Sequence, residues 1–481
     1  MTKYLLLTYF IIITSIVYGQ LPIDRIKAII KQEVASKRSK SIIVGIIDAD
    51  GRQIFAEGII SNENPTLPDA NTIYEIGSIT KVFTSLLLAD MSLKQRVNLN
   101  DPISKFLPET VKTPTRNGKE ISLLNVSANR SGLPRNAYNI DPKNPDNPFA
   151  DYTTTQLYEF ISTVELNRDI DSRWQYSNIG YSLLGNSLAV AGHKDFETLV
   201  NELICKPLNM NSTFFSVPPK STLTIASGYS ECGQPAGPWD FPLAGGGGLR
   251  SNVNDMLTFA AANLGLIQTD ILSAMELSHV KQGKKDGNDG YVTMGWTLWS
   301  DDGKHILFKD GGTGGYRTFI GIDKKNKYAV VVLSNSNNSI TDIGLHILDS
   351  TYNITPYKYP WGLLDTLRTT LQRKGIDESL DLYQQLKTLQ PVGFVFDDRQ
   401  LNHLGNELRK AKKTKAAIKV YEQNIKEYPK SAFVHESLGE TYKRSKNTKM
   451  AIVYFEKALE LDPQNPHLIY LIKKLKSGGY K

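Results

Sequence analysis

Two segments near the C-terminus, LNHLGNELRKAKKTKAAIKVYEQNIKEYP (401–429) and HESLGETYKRSKNTKMAIVYFEKALELDP (435–463), align at a constant offset of 34. Leu404-Gly405 falls on Leu438-Gly439, Ala417 on Ala451, Tyr421 on Phe455 and Pro429 on Pro463. This period constrains the fold more than any other feature of the chain. A 34-residue repeat is one helical hairpin, which cannot bury its apolar face alone and must stack on a neighbour. The stretch Leu363 to Leu389 and a helix near Leu468 to Leu475 are expected to complete and cap the stack. Residues 361–481 are therefore predicted to be all α.

In period and residue type the tail resembles the tetratricopeptide repeat, which implies a surface for a protein partner. The tail also holds the charge. Residues 401–481 carry seventeen Lys and Arg against eight Asp and Glu, a net of +9, whereas the whole chain has +7. A basic array could steer an acidic peptide, an anionic envelope surface or a polyanion toward itself. A solvated helix face is the simpler account. No nucleic-acid partner is expected.

A chain of 481 residues is long enough for at least two domains. With 40% apolar and 22% charged residues it is neither a multi-span membrane protein nor a disordered one. Its first twenty residues, MTKYLLLTYFIIITSIVYGQ, have one basic residue, Lys3, then an apolar run from Tyr4 to Val17, then small and polar residues. That layout is a secretory signal, residues 1–20, with cleavage near Gly19 and an uncleaved anchor as the alternative. The folded part is expected outside the cytoplasm, periplasmic or extracellular, with no transmembrane helix after cleavage. Two cysteines, Cys205 and Cys232, leave room for one bridge at most, and buried free thiols are the simpler expectation. The seven histidines show no metal-ligand spacing, so neither metal nor cofactor is expected.

Between the signal and the tail, a helix is expected over Ile23 to Ser36 and a hairpin over Ile42–Ile47 and Gln53–Gly58, turning at DADG. From about Asn98 to Val280 the pattern is helical with long polar loops. YVTMGWTLW, HILFKD, YRTFIGID and YAVVVLSNS, between 291 and 336, then read as four antiparallel strands. Strands at both ends of residues 21–352, with a helical insertion between, predict an α+β domain whose cleft lies between sheet and insertion.

Within that domain, YEIGSITKVFTSLLLADM (74–91) places Ser78 and Lys81 three apart at the head of an apolar helix, on one face. A serine hydroxyl needs a base to become a nucleophile. Burial disfavours the charged amine, and lowering a lysine from about 10.4 toward 7 corresponds to ~4 to 5 kcal/mol. Such a cost suits a base better than a structural residue. Alone, S-x-x-K is common; Ser78 as a helix cap and Lys81 as a snorkelling surface residue would account for it.

Two further clusters follow. RWQYSNIGYSLLG contains Tyr176-Ser177-Asn178, and FKDGGTGGYRTFIGID contains Lys309-Asp310-Gly311 on an expected strand. With SGLPR at 131–135, CKPLNMNSTFF at 205–215 and AGGGGLRSNVNDMLTFA at 244–260, these motifs resemble the class C β-lactamase family. That family includes D-alanyl-D-alanine carboxypeptidases, D-aminopeptidases and carboxylesterases. The resemblance covers about residues 25–352 and implies a β-lactamase/transpeptidase-like fold, an antiparallel sheet flanked by helices. It implies Ser78 as acylated nucleophile, Lys81 as its activating partner, Tyr176 as general base or proton shuttle, and Lys309 as electrostatic support. Asn178 would bind the substrate amide. Asp310, Gly311, Gly312 and Thr313 would line the substrate site, with the Ser78 and Gly312 amides as oxyanion hole.

The third motif departs from the family's K-T-G. Asp310 places a carboxylate where a threonine hydroxyl usually meets an anionic substrate, which shifts the expectation toward esters or amides with a blocked carboxylate. The chain is thus expected to be an exported serine hydrolase acting on a small-molecule or peptide-like amide or ester. The alternative is a hydrolase-like scaffold with weak catalysis, acting through its repeats.

Overall fold

The computed structural model describes residues 21–218, 222–285, 290–300 and 303–479; the expected signal lies outside them. Helix α1 (Ile23–Ala35) comes first, then strands β1 (Ser41–Asp48) and β2 (Gly51–Gly58). The chain leaves the sheet for more than two hundred residues and returns through β3 (Gly283–Lys284), β4 (Tyr291–Val292), β5 (Thr297–Trp299), β6 (Ile306–Gly312), β7 (Arg317–Asp323) and β8 (Tyr328–Ser334). The order is β2-β1-β8-β7-β6-β5-β4-β3, antiparallel throughout. Pairing of β1 with β8, Ile42 opposite Ser334, closes the sheet across the sequence gap.

The run 291–299, expected as one strand, is two. Gly295 has a positive φ of 86°, and any Cβ there would meet the Lys81 carbonyl at 2.9 Å, so the chain turns at Thr293–Trp296 to clear the helix beneath. Apolar residues alternate across the strands. Ile43, Leu307, Ile320, Val331 and Leu333 face the core shared with the insertion, whereas Ile42, Val44, Phe319, Val330 and Val332 pack under α1 and the helix Thr341–Leu348.

The insertion supplies α2 (Thr80–Leu93), α3 (Asn178–Gly192) and α4 (Val253–Leu264). Helix α2 is buried on nearly every side, as its apolar composition predicts. Cys205 and Cys232 are buried and form no disulfide.

Among its described residues the tail forms seven helices: Gly362–Lys374, Ile376–Leu389, Asp398–Lys410, Thr414–Glu427, Ala432–Arg444, Thr448–Leu461 and Pro466–Lys476. Each boundary of the third and fourth recurs 34 residues on in the fifth and sixth. The repeated glycines have a steric cause. A Cβ on Gly405 would meet the Tyr421 ring at 2.6 Å, and one on Gly439 the Phe455 ring at 2.7 Å.

This array packs back on the hydrolase-like unit. Lys443 and Lys474 donate to Asp141 at 2.7 and 3.0 Å, Arg444 to the Lys143 and Pro142 carbonyls, and Lys410 pairs with Asp146. A second seam joins Arg368 and His403 to the loop at Glu231 and Cys232.

Candidate active site

Ser78 stands in a single 3-10 turn, Gly77–Ile79, that runs straight into α2. Gly77 has φ of 50°, and a Cβ there would lie 2.7 Å from the Gly312 amide nitrogen. A glycine is required on both counts, and its absence of side chain lets the end of β6 close on the serine turn. Thr318 donates to the Ile76 carbonyl at 3.0 Å and fastens β7 to the same turn.

Lys81 follows one turn later and is fully buried. Its Nζ lies 3.2 Å from Ser78 Oγ and donates to Asn178 Oδ1 at 2.9 Å and to the Gly246 carbonyl. Burial pushes its pKa down, helped by the positive charge of Lys309 and opposed by Tyr176. Tyr176 Oη donates to Ser78 Oγ at 2.6 Å. Asn178 opens α3 while Ser177, whose hydroxyl accepts from the Gly180 amide, caps it. Asn178 is thereby free to orient Lys81 with its oxygen and to donate to Asn136 Oδ1 at 2.9 Å.

Lys309, on β6, reaches the same group from the sheet, with Nζ 4.8 Å from the Tyr176 ring centroid, and burial pushes its pKa down as well. Gly312 and Thr313 line the cleft, and Gly311 packs on the Ile76 backbone behind it.

Asp310 is the exception. Residues alternate across a strand. With Lys309 turned into the cleft, Asp310 projects to the opposite face, where it is exposed in a groove with Trp299, Phe308, Thr341 and Tyr352. Its carboxylate does not line the cleft at Ser78 and acts there only through its charge, which attracts the Arg317 guanidinium.

Groups that the motifs did not single out complete the cleft. It holds about 290 Å3, with Ser78 at its base and Arg135, Arg317, Phe149, Trp239 and Phe241 around it. The Arg135 guanidinium lies 5.0 Å from the Tyr176 ring, and the three aromatics form one wall, Phe149 stacking on Phe241 at 4.8 Å. Arg135 and Gly246 fall in SGLPR and AGGGG, where resemblance marked the segments without giving the residues a task. Arg317 carried no signal.

The family model described as Beta-lactamase matches residues 26–346, and that of the tetratricopeptide repeat matches residues 434–465. The chain is similar to the D-alanyl-D-alanine-carboxypeptidase/endopeptidase AmpH of Escherichia coli (strain K12), 29% identical over 308 residues, 60% of this chain and 78% of that protein. It is similar also to the Beta-lactamase of Psychrobacter immobilis, 26% identical over 274 residues, 56% and 64% of the two. Among solved structures, the octameric penicillin-binding protein homologue from Pyrococcus abyssi superposes with a TM-score of 0.62 at 22% identity, covering 73% of this chain and 82% of that one. The Beta-lactamase/D-alanine Carboxypeptidase from Yersinia pestis does so at 0.58 and 21%, covering 68% and 96%. These two share the fold.

Proposed function

The chain belongs to the beta-lactamase family, and from that premise we propose that residues 21–352 are an exported serine hydrolase that works through an acyl-enzyme on Ser78. The observation that carries this is the pair of contacts on one oxygen: Ser78 Oγ has Tyr176 Oη at 2.6 Å and Lys81 Nζ at 3.2 Å. A neutral amine has two hydrogens and one lone pair. With the hydrogens taken by Asn178 Oδ1 and the Gly246 carbonyl, the lone pair is left for the serine proton. Lys81 is the base in this scheme, and Tyr176, bonded to the same oxygen, passes a proton to the leaving group. Lys309 supports Tyr176 electrostatically, and the amides of Ser78 and Gly312 hold the oxyanion, a device worth ~3 to 4 kcal/mol.

The cleft favours a substrate with an aromatic or aliphatic flank and a carboxylate. A D-alanyl-D-alanine peptide, the substrate class named for the Escherichia coli relative, ends in a carboxylate, and Arg135 and Arg317 line the cleft. D-amino peptides therefore rank ahead of neutral esters. The first twenty residues support export, and residues 361–481 form a repeat unit for a protein partner.

The test is labelling with a fluorophosphonate and a fluorescent penicillin. Both are expected to mark the wild type and neither Ser78→Ala. Labelling by the fluorophosphonate alone would return neutral esters to first place; labelling by neither would end the acyl-enzyme reading. For a D-alanyl-D-alanine peptide, Arg317→Ala is expected to raise KM ~10-fold or more with kcat little changed, the loss of a charge-assisted bond of about 1.5 to 3 kcal/mol.

A further inference from the structure

Away from the cleft, a cavity of about 470 Å3 opens at the seam between the two units, lined by Lys37, Lys40, Glu231, Cys232, Asp365 and Arg368. Cys232 comes from the hydrolase unit and is surrounded by groups from the repeats. His403 Nδ1 lies 3.7 Å from its Sγ, and Arg368 donates to the sulfur at 3.2 Å and to the Cys232 carbonyl at 3.3 Å. The Ser230 hydroxyl is 3.4 Å from the same sulfur. On its far side His403 Nε2 meets Glu231 Oε1 at 3.0 Å, and Trp361 packs edge-on against the ring. Nucleophile, imidazole and orienting carboxylate stand in line, the arrangement that activates a thiol.

The second cysteine gives the contrast. Cys205 and Cys232 are equally buried, each 3% exposed. Burial pushes the Cys205 thiol up to about 12. At Cys232 burial pushes upward too, but the hydrogen bond and charge of His403, then Ser230 and Arg368, outweigh it and hold the thiol below its ordinary value. His403 responds in kind: burial would lower it, yet Cys232 and Glu231 push it up to about 9.

We propose that Cys232 is a thiolate paired with the His403 imidazolium, and that it is a modification site which admits small disulfides into the seam cavity and becomes S-thiolated. The thiolate attacks one sulfur of R–S–S–R. A protein–S–S–R bond forms, the original disulfide breaks, and R–S⁻ departs to take its proton from solvent; no other oxidant enters. With Cys205 in the core of the hydrolase unit, the product is a mixed disulfide. It neutralises the sulfur and takes from Arg368 and His403 the anion that they share across the seam.

The full chain is incubated with 2-hydroxyethyl disulfide from about pH 5 to 9 and each cysteine is followed by peptide mass spectrometry. Cys232 is expected to be modified and Cys205 not, with a rate midpoint below the ~8.5 of a free thiol. His403→Gln is expected to move that midpoint up and to slow the reaction at pH 6 by ~10-fold or more. If that variant loosens the fold, Glu231→Gln, which keeps the imidazole, should shift the profile the same way by less. Modification of Cys232 no faster than Cys205 overturns the proposal, as does a pH profile that neither variant moves.

Discussion

Lys81 is a buried amine with one carbonyl-type acceptor from α3 and another from the Gly246 turn, so its proton count, rather than its charge, is what the site holds in place. Lys81→Arg tests this directly, since a guanidinium keeps the charge but does not deprotonate in proteins. Steady-state kinetics should show kcat/KM down ~100-fold or more, the scale of a lost general base. In the wild type kcat/KM should rise with pH as Lys81 loses its proton, with a midpoint below the ordinary ~10.4, because burial depresses the amine. A midpoint at the ordinary value would remove Lys81 as the base. Ser78 and Lys81 drew notice through their spacing on one helix face, Tyr176 and Lys309 only through the resemblance of their motifs, and the structure brings all four together. Asp310 misled for a physical reason: one position along a strand is the other face. Arg317 was silent because nothing local distinguishes a cleft arginine from any other.

At the scale of elements, the junction of α1 and the helix Thr341–Leu348 has its own pH response. Arg38 pairs with Asp342 at 2.5 Å and with Glu33 at 3.4 Å, and Glu33 Oε2 is buried with no hydrogen-bond partner among the described residues. Burial pushes Glu33 up to about 7 from 4.5, against the attraction of Arg38. Between those values the folded state holds the proton that the unfolded state has lost, so this contribution is complete below about pH 4.5 and falls away as pH rises toward 7. At 1.36 kcal/mol per unit it amounts to about 3 kcal/mol. Urea titrations of Glu33→Gln across this range should lose that slope; an unchanged slope would place the response elsewhere. In the repeats, Gly439→Ala should lower stability by about 1 to 3 kcal/mol, the cost of overpacking, because its Cβ would meet the Phe455 ring. Calorimetry should show the loss in the repeat transition. The repeat helices were legible because a fixed period carries them, and the hairpin β1–β2 because two short runs of strand-forming residues flank a DADG turn. The run 291–299 was not, because its break answers to the carbonyl of Lys81, more than two hundred residues earlier.

The charge asymmetry of the chain takes on meaning only in the whole molecule. Part of the tail's positive excess faces the hydrolase unit, where Lys443, Lys474 and Lys410 meet Asp141 and Asp146. All of these acids lie on the segment 135–151, which also lends Arg135, Asn136 and Phe149 to the cleft. His467 bonds to the Tyr138 carbonyl on the same segment, and Tyr470 packs on the Tyr138 ring. The array therefore braces one wall of the cleft from behind, an arrangement no local pattern announces because its partners are some three hundred residues apart. Asp141 is the pivot, accepting from two lysines while itself nearly buried, its side chain 9% exposed. Asp141→Ala removes one carboxylate from the buried Lys443 amine, which keeps its ion pair with Glu440, so the loss should fall below the ~3 to 5 kcal/mol of a buried charge left uncompensated. The wall should loosen and raise KM several-fold, with a smaller change in kcat, since Ser78 and Lys81 sit on the 3-10 turn and α2 outside this segment. Adding Lys443→Met removes the amine that Asp141 had balanced and should restore part of the stability but not the KM. Equal recovery of both would mean that the bridge serves stability alone, and that cleft and array are joined without being coupled.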